Sequence, residues 1–314
     1  MTFQIQTIPQ PEPGSIPYER IGILNKHLRG LIHPFMKCPG GKRRLIRDFI
    51  KVLPNDFDRY VELCVGGGAM FFSLSSLDLI PTNDVGTPKA WLADLEKETI
   101  DAYKDIQTMD PELERMLRTY EQEYNEHSGH LTYYKILDRW NKGDRSTASM
   151  IFIRQAANHG AWCYDESGVL TMECSNYREL KFFYDNLKQA GKHLEGVTLV
   201  HNDITKPTNY EPSPNDLVYI DPPPANGYYT NYYPKPFLAR DHISTIQYCS
   251  DLVTKGCKVI YTNMDNPQIR KWISEYWDNS TIYKVYANLG GNKRSDKADL
   301  IVIGGFTVEN VKTS

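Results

Sequence analysis

One sequence feature constrains the fold of this chain most strongly. It is a series of short apolar runs, which alternate with helical patterns and end at a glycine turn or at an acid. Residues 60–65 (YVELCV) read as a strand that ends at Gly66-Gly67-Gly68, before an apolar helix. Residues 90–93 read as a strand that ends on Asp94, and residues 216–220 (DLVYI) as a strand that ends on Asp221. Strands that alternate with helices are typical of a doubly wound α/β sheet.

The remaining pattern predicts an α/β domain that is interrupted once. Strands are predicted at 197–201 and 257–262, helices at 42–53, 177–194, 241–255 and 267–277, and a hairpin at the C-terminus. Residues 110–160 are mostly helical in pattern, and 161–175 resemble a hairpin with a turn at Asp165–Gly168. We therefore predict a domain over 35–104 and 196–314, an insertion over 105–195 and an N-terminal arm over 1–34. Residues 1–17 contain four prolines and are predicted to be flexible or loosely docked.

Composition excludes several classes of protein. The chain has 314 residues, 40% of them hydrophobic and 24% charged, which excludes a mostly disordered or collagen-like chain. No window has the roughly 18 consecutive apolar residues of a membrane span, and the N-terminus lacks the basic and apolar regions of a signal peptide. The six cysteines are scattered without CxxC spacing, so we expect reduced thiols, no metal site and a cytoplasmic protein.

Charge is uneven along the chain. Residues 1–60 contain ten Lys or Arg against five Asp or Glu, although the net charge of the whole chain is −3. The overall charge does not indicate a nucleic-acid-binding protein, but a local basic patch is compatible with it. The basic stretch is either a solvated helix face or part of such a patch.

The glycine run and Asp94 have the residue types of a nucleoside-binding site. Glycines after a strand let the backbone approach a ligand closely, and an acid at the end of the second strand can hold ribose hydroxyls. The run is GGGAMF, which differs from GxGxxG, and no P-loop lysine follows it. A nucleoside-bearing cofactor other than NAD or ATP is therefore favoured.

The sequence Asp221-Pro222-Pro223-Pro224 is the sharpest signal for chemistry. Prolines hold the chain extended and leave carbonyl groups without neighbouring N–H donors. At the carboxyl end of a strand, Asp221 and the carbonyl of Pro222 could accept both hydrogens of an exocyclic amine. The alternative interpretation is a proline-rich loop in which Asp221 is a cap.

Together these motifs resemble the Dam-type (D12 class) DNA adenine-N6 methyltransferases. The resemblance rests on Lys37-Cys38-Pro39-Gly40-Gly41-Lys42, then Glu62 to Gly68, then Asp94, then Asp221 to Pro224, and it extends over about residues 35–306. It implies a Rossmann-like methyltransferase sheet, S-adenosylmethionine as methyl donor and an adenine of double-stranded DNA as acceptor. It also implies a role in restriction–modification, and we expect a monomer or weak dimer. The inserted segment 105–195 would recognise the target.

The resemblance also assigns site residues. Asp221 would accept from the target amine and also contact the cofactor, with Pro222, Pro223 and Pro224 completing the catalytic turn. Residues implied to bind the cofactor are Lys37, Cys38, Gly40, Lys42, Glu62, Gly66, Gly68, Asp94 and Asp203. Basic side chains implied to contact phosphates are Lys42, Arg43, Arg44, Arg47, Lys293 and Arg294.

Three departures from the family pattern leave alternatives open. Pro224 stands where relatives have an aromatic ring that stacks on the base, and Cys38 replaces an aromatic residue of the first motif. The predicted hairpin is acidic at Asp165, Glu166 and Glu173, which disfavours contact with phosphates. The chain could therefore be a catalytically impaired relative that binds cofactor or DNA, or a methyltransferase with another acceptor. Rings that could replace the missing one are Tyr228, Tyr229, Tyr232 and Tyr233.

Overall fold

A single mixed sheet forms the centre of the structure, a computed structural model that describes residues 5–158, 163–207, 209–225, 236–288 and 294–308. Its strands are β1 (Ile5–Gln6), β2 (Arg59–Glu62), β3 (Ala90–Asp94), β4 (Thr198–His201), β5 (Asp216–Ile220), β6 (Lys258–Met264), β7 (Thr281–Asn288) and β8 (Arg294–Gly304). Their order in the sheet is β1-β7-β8-β6-β5-β2-β3-β4. Strand β8 runs antiparallel to β6 and β7, and the other neighbouring pairs are parallel.

Helices connect these strands and cover both faces of the sheet. A 3-10 turn at Lys42–Leu45 precedes the second helix. The α-helices are α1 (Ile16–His27), α2 (Ile46–Val52), α3 (Ala69–Ser75), α4 (Lys97–Thr108), α5 (Pro111–Glu126), α6 (Gly129–Asn141), α7 (Thr147–Ala156), α8 (Tyr184–Leu194), α9 (Ala239–Thr254) and α10 (Pro267–Tyr276).

The central strands are buried on both faces because their side chains alternate between two hydrophobic cores. Tyr60, Leu217 and Ile260 belong to one core, whereas their neighbours along the chain, Val61, Val218 and Val259, belong to the other. Successive residues of a strand point to opposite faces, so a helix layer is needed on each side. The predicted doubly wound α/β sheet is confirmed.

The strand order places a ligand crevice at the middle of the sheet. From β2 the chain continues to β3 and β4 on one side, and then returns to form β5 on the other side of β2. Where the order reverses, the loops at the carboxyl ends of the two central strands diverge and leave a crevice between them. The loops after β2, β3 and β5 therefore meet around one site.

The insertion is helical where the sequence predicts helices, but its last helix begins later than predicted. Helix α8 begins at Tyr184, whereas the pattern predicts a helix from residue 177. The Asn125 side chain exchanges two hydrogen bonds with the backbone of Leu180, and Glu121 accepts the N–H of Phe182. These tertiary contacts bind backbone groups that a helix would have used, so the segment before Tyr184 stays irregular.

The predicted hairpin at 161–175 has its turn but little strand. Gly168 donates its N–H to the carbonyl of Asp165, as the predicted turn requires. The pairing consists of two isolated antiparallel bridges, Ala157–Cys174 and Tyr164–Leu170. Residues 159–162 lie outside the described residues, so the hairpin prediction is confirmed only at the turn and these bridges.

The N-terminal segment is docked on the domain over residues 5–34. Strand β1 pairs with β7, and the buried Arg20 of α1 donates hydrogen bonds to the carbonyls of Leu53 and Pro54 at 2.7 and 2.9 Å. The prediction that residues 1–17 are flexible or loosely docked is contradicted at Ile5–Gln6, which pair with β7, whereas residues 1–4 lie outside the described residues. Beyond that stretch, the buried guanidinium of Arg20 ties α1 to the end of α2. The boundaries of the three predicted segments stay predictions.

Candidate active site

The loops after β2, β3 and β5 enclose a cavity of about 400 Å³. Ligand sites of proteins commonly have volumes of about 300–1,000 Å³. The sequence-predicted residues that line this cavity are Cys38, Gly40, Lys42, Glu62, Gly66, Asp94, Asp221, Pro222, Pro223 and Pro224. The fold thus brings together residues from four separate motifs of the sequence.

Glu62, the last residue of β2, is a buried carboxylate held by neutral donors. Its Oε2 accepts hydrogen bonds from the Tyr60 hydroxyl at 2.8 Å and from the Phe71 N–H at 3.1 Å. The side chain is buried, and burial raises its pKa to about 8, although these two hydrogen bonds oppose the rise. A ligand cation near Glu62 would stabilise its charged form.

Asp94, the last residue of β3, is oriented by two backbone groups. Its Oδ2 accepts the N–H of Gly66 at 2.8 Å, and its Oδ1 accepts the N–H of Glu96 at 3.0 Å. Burial raises its pKa, and the backbone hydrogen bonds oppose that rise. Each carboxylate oxygen retains a lone pair, so Asp94 can also accept hydrogen bonds from ligand hydroxyls in the cavity.

Asp221, directly after β5, forms an ion pair with Lys42. The Lys42 Nζ lies 2.7 Å from Oδ1 and 3.0 Å from Oδ2, and the Thr262 hydroxyl donates to Oδ1 at 2.8 Å. Burial raises the pKa of Asp221, whereas Lys42 and Thr262 lower it. The family resemblance assigns Lys42 to the cofactor, but its ammonium group lies on the Asp221 carboxylate.

Two asparagines after the core of β6 hold the proline turn in place. The Asn263 side chain donates to the carbonyl of Pro223 and accepts the N–H of Ala225, both at 3.4 Å. The Asn266 side chain donates to the carbonyl of Ala225 at 2.8 Å. Because prolines have no N–H to donate, the turn depends on these neighbours. Sequence analysis missed both residues, although amides that follow an apolar strand (TNMDN) are a signal for them.

The insertion contributes a buried arginine to the cavity wall. Arg154 of α7 lies 2.6 Å from the Glu96 carboxylate, and its other guanidinium nitrogen lies 3.5 Å from the sulfur of Cys38. Burial raises the pKa of the Cys38 thiol to about 11, so the thiol is neutral. Sequence analysis missed Arg154 and Glu96, although a lone arginine in the apolar run MIFIRQAA is a signal.

A second ion pair also lines the cavity. Arg44, from the 3-10 turn that supplies Lys42, lies 2.7 Å from Oδ2 of Asp299 on β8. The Asp299 side chain is 2% exposed, whereas that of Arg44 is 43% exposed. Arg44 therefore reaches from a buried acid to the mouth of the cavity. Sequence analysis missed Asp299.

Three predicted cofactor residues do not line the cavity. Lys37 donates to the carbonyl of Gln155, at the end of α7, and to the Tyr177 hydroxyl, so it caps a helix. A Cβ at Gly68 would lie 2.3 Å from the Tyr103 hydroxyl, so packing requires this glycine. The Asp203 carboxylate closes a local turn by accepting from the N–H and hydroxyl of Thr205.

Some predicted contacts fall outside the described residues. These are the replacement rings Tyr228, Tyr229, Tyr232 and Tyr233 and the phosphate contact Lys293, and the side chain of Arg294 is not described either. The other predicted phosphate-binding cations are described. Arg43 donates to the carbonyls of Leu31 and Ile32, and Arg47 to the side chain of Asn25.

The sheet order with its antiparallel β8, together with an Asp-Pro turn beside two carboxylates at the switch point, defines a Rossmann-like α/β fold with an acidic ligand crevice. The model of the D12 class N6 adenine-specific DNA methyltransferases matches residues 39–288, and the chain belongs to this family. The predicted activity, methylation of adenine N6 in DNA, is thereby confirmed at the level of the family.

Three methyltransferases are similar to this chain at low sequence identity. A type II methyltransferase of Lactococcus lactis subsp. cremoris is 23% identical over 289 residues, which is 87% of this chain and 94% of that protein. A DNA N-6-adenine-methyltransferase of Escherichia phage P1 is 24% identical over 241 residues, 75% of this chain but only 30% of the phage protein. A crystal structure from Pyrococcus horikoshii, described provisionally as an RNA methyltransferase, is 10% identical and covers 96% of this chain and 90% of its own, with a TM-score of 0.31. That last likeness is too weak to bear on function.

Other expectations about the chain have a more limited outcome. In the described ranges, no helix is both long enough and apolar enough to cross a membrane. The six cysteines are free thiols. Across the same described residues, no group of three or more His, Cys, Asp or Glu is arranged to hold a metal ion. The cytoplasmic location and the monomer or weak dimer stay predictions.

Proposed function

We propose that this chain transfers a methyl group from S-adenosylmethionine to the N6 amine of adenine in double-stranded DNA, with the amine held by Asp221 and Pro222. The observation that carries the proposal is the partly buried Asp221, whose side chain is 18% exposed, at the switch point of the sheet. It shares one cavity with Glu62 and Asp94. A hydrogen-bond acceptor for the amine and two acids suited to a cationic nucleoside therefore lie side by side.

The donor set in the β2 and β3 half of the cavity fits S-adenosylmethionine, which supplies a methyl group bound to a sulfonium centre. Glu62, Asp94 and Glu96 oppose a single arginine, Arg154, so this half attracts a cation. Glu62 would hold the ammonium group and Asp94 the ribose hydroxyls, the common role of an acid at this position. A Cβ at Gly67 would lie 3.3 Å from the carbonyl of Met36, so the glycine turn packs closely on the loop that forms the opposite wall.

The β5 half of the cavity fits the target amine. Oδ1 of Asp221 accepts from Lys42 and Thr262, whereas Oδ2 has only the longer contact with Lys42. Oδ2 is therefore the oxygen that accepts one N6 hydrogen, and the Pro222 carbonyl accepts the other. The base must leave the DNA stack to reach this depth. Transfer would break the bond between the methyl carbon and the sulfonium sulfur and form a bond between that carbon and N6. The adjacent Asp221 carboxylate would stabilise the positive charge that develops on the nitrogen, and would then accept a proton from N6 and pass it to water.

Lys42 and Thr262 keep Asp221 suited to this role. Burial alone disfavours the charged carboxylate, and the ion pair with Lys42 opposes that effect. The asparagines at 263 and 266 fix the following loop, so the two acceptors stay in register. Positioning of this kind supplies a large part of catalysis in reactions without a covalent enzyme intermediate.

The apolar wall of this half is made without an aromatic ring from the catalytic turn. Pro224 and Met264 both line the cavity, and their side chains can pack on a base face. Stacking on an aromatic side chain contributes about 1–3 kcal/mol per base. We therefore expect weaker capture of the target base than in relatives with an aromatic residue at this position.

The proposal is tested by incubating the protein with labelled S-adenosylmethionine and unmethylated duplex DNA, then digesting the DNA to nucleosides for mass spectrometry. We expect N6-methyladenine, confined to one short sequence if the enzyme belongs to a restriction–modification system. RNA and free nucleosides serve as parallel acceptors. A protein that binds the cofactor but forms no N6-methyladenine in DNA would overturn the proposal, and methylation of RNA alone would replace the acceptor.

A further inference from the structure

We infer that a second, basic groove beside the active site binds the DNA backbone next to the target adenine, an inference that rests on the proposed function. This groove has a volume of about 550 Å³ and lies between α1, the 42–52 segment and β7. Among the described residues, its charged lining consists of Arg43, Arg44, Arg47, Lys51 and Lys284, with Asp48 as the one acid.

The groove adjoins the catalytic cavity at one shared residue. Arg44 lines both cavities. Three consecutive cationic side chains of the 3-10 turn therefore line the catalytic cavity, the groove or both. Lys42 lies on Asp221 in the catalytic cavity, Arg43 faces the groove, and Arg44 lies between them. A strand whose adenine is at Asp221 would continue past Arg44 into the groove.

Two of the groove cations carry charge that their hydrogen-bond partners do not cancel. Lys51 pairs with Asp48 at 3.2 Å, and Lys284 with Asp265 at 2.8 Å. In contrast, the hydrogen bonds of Arg43 and Arg47 go to neutral oxygens, two backbone carbonyls and the amide of Asn25. The groove is therefore positively charged, and its guanidinium groups are already oriented.

The N-terminal segment builds one wall of the groove. Thr7, Ile8, Gln10, Leu24 and Leu28 line it, and all of them precede residue 39, where the match to the family begins. The groove is thus formed in part by residues outside the family match. The docking of α1 through Arg20 is what holds that wall against the arginines.

The charge and chemistry of the groove favour a nucleic-acid backbone as its occupant. Phosphates are neutralised by Lys and Arg, and Tyr286 adds an exposed ring to the lining. The turn of the insertion is unsuitable for this task, because its acids Asp165 and Glu166 are exposed. A phosphate-binding surface is therefore needed elsewhere, and this groove adjoins the catalytic cavity.

The test is the salt dependence of DNA binding, measured by fluorescence anisotropy with a short labelled duplex. Each phosphate contact that is lost lowers the slope of log affinity against log salt by about 0.9. We expect Arg47→Gln and Arg43→Gln each to lower the slope by about 0.9 and to raise the Kd about three- to tenfold. Arg47→Lys keeps the charge and should restore the wild-type slope.

Lys271→Gln is the matched control, because it removes an exposed cation of α10 that pairs with Glu275. It should leave the slope unchanged. Thermal unfolding and cofactor binding verify that each variant is folded, and if Arg43→Gln is not, Arg47→Gln alone decides. Unchanged slopes in folded arginine variants would overturn the inference. A changed oligomeric state with an unchanged slope would assign the groove to a second copy of the chain instead.

These outcomes are separate from those of the proposed function. Normal methylation by the wild type together with unchanged slopes would overturn the groove alone. The wild type could instead form no N6-methyladenine while the arginine variants still lower the slope of log affinity against log salt. That result would overturn the proposed reaction and support the groove as a DNA-binding surface. A wild-type protein that does not bind DNA would overturn both.

Discussion

The two halves of the catalytic cavity treat their carboxylates differently. In the half below β2 and β3, Glu62 and Asp94 are held by a hydroxyl and by backbone N–H groups. In the half below β5 and β8, Asp221 and Asp299 each pair with a cation of the 42–45 turn. Glu62, Asp94 and Asp299 are buried and Asp221 is partly buried. Of these four acids, only Asp221 and Asp299 form an ion pair with a cation of the described residues.

This difference indicates what each half can bind. Buried carboxylates without a paired cation gain most from a positively charged ligand. Where the carboxylates are paired, the space between them is nearly neutral and suits an uncharged base. Only those carboxylate oxygens that the cations leave accessible can accept hydrogen bonds from that base. The cavity can therefore place a cationic methyl donor and a neutral acceptor next to each other without exchanging them.

The largest expected effect is at Asp221. Asp221→Asn keeps the shape of the side chain but removes its charge, and it should lower the methylation rate by about 10²–10⁴-fold, the usual contribution of a group that handles a proton in the transition state. Cofactor affinity should change little, since that half of the cavity is untouched. Single-turnover methylation and calorimetric cofactor binding measure the two quantities. Asp203→Asn is the control, and an equal loss in both variants would contradict the assignment.

The next effect is at Glu62 and concerns binding. Glu62→Gln should weaken cofactor affinity by about 10–100-fold, because a charge-assisted hydrogen bond contributes about 1.5–3 kcal/mol. The rate at saturating cofactor should be nearly unchanged. Because the pKa of Glu62 is about 8 and a cation favours its charged form, wild-type affinity should rise with pH towards 8, and the variant should lose this dependence. Calorimetry across pH tests both statements, and a pH-independent wild type would contradict them.

Pro224→Tyr should change DNA binding in the β5 half of the cavity without affecting the β2 and β3 half. A ring at this position should lower the KM for DNA by about five- to a hundredfold, since stacking contributes about 1–3 kcal/mol per base. Cofactor affinity should stay the same. Steady-state methylation assays measure the effect, with Pro223→Ala as a control for altered loop conformation. An inactive wild type that becomes active only as the variant would favour the catalytically impaired alternative.

The smallest effect is a shift along the pH axis. The rate requires the Asp221 carboxylate, so it falls as pH drops through the pKa of Asp221. Lys42→Met removes a cause that lowers this pKa, and the acid limb should move to higher pH. Asp299→Asn removes a neighbouring charge that raises it, and the limb should move to lower pH. Shifts in the same direction for both variants would show that the two ion pairs do not act on Asp221 as described.

The pH dependence of the free energy of unfolding tests the burial of Glu62 in the absence of any ligand. The pKa of Glu62 rises from an ordinary value of 4.5 to about 8 on folding, so folding takes up a proton between these values. The free energy of unfolding should therefore fall as pH rises from 4.5 to 8. Glu62→Gln lacks this loss and should gain stability relative to the wild type at pH 8 compared with pH 5. Thermal unfolding at both pH values measures it.

Local sequence patterns predict the central strands and the Asp-Pro turn after β5. The predicted ends of the strands that lead to Asp94 and Asp221 agree with β3 and β5, whereas the strand predicted over residues 60–65 ends earlier, at Glu62, and β1 was not predicted. Apolar runs followed by glycine or an acid are local patterns, and in a parallel sheet the ends of central strands must meet at one edge. The family resemblance placed Glu62, Asp94 and Asp221 in one site, and this geometry explains why they line the same cavity. The late start of α8 could not be predicted from the local sequence pattern, because it depends on hydrogen bonds from a side chain of α5.

The ion pairs of the cavity depend on the tertiary structure and could not be predicted from local sequence. Lys42 and Asp221 are 179 residues apart in the chain, and the pairing of Arg44 with Asp299 depends on β8 lying beside β6. Local pattern predicts which face a residue occupies, but an ion pair depends on the distance between two atoms on elements that neighbour each other only after folding. The same reason explains the docking of α1, the cavity position of Arg154 and the basic groove.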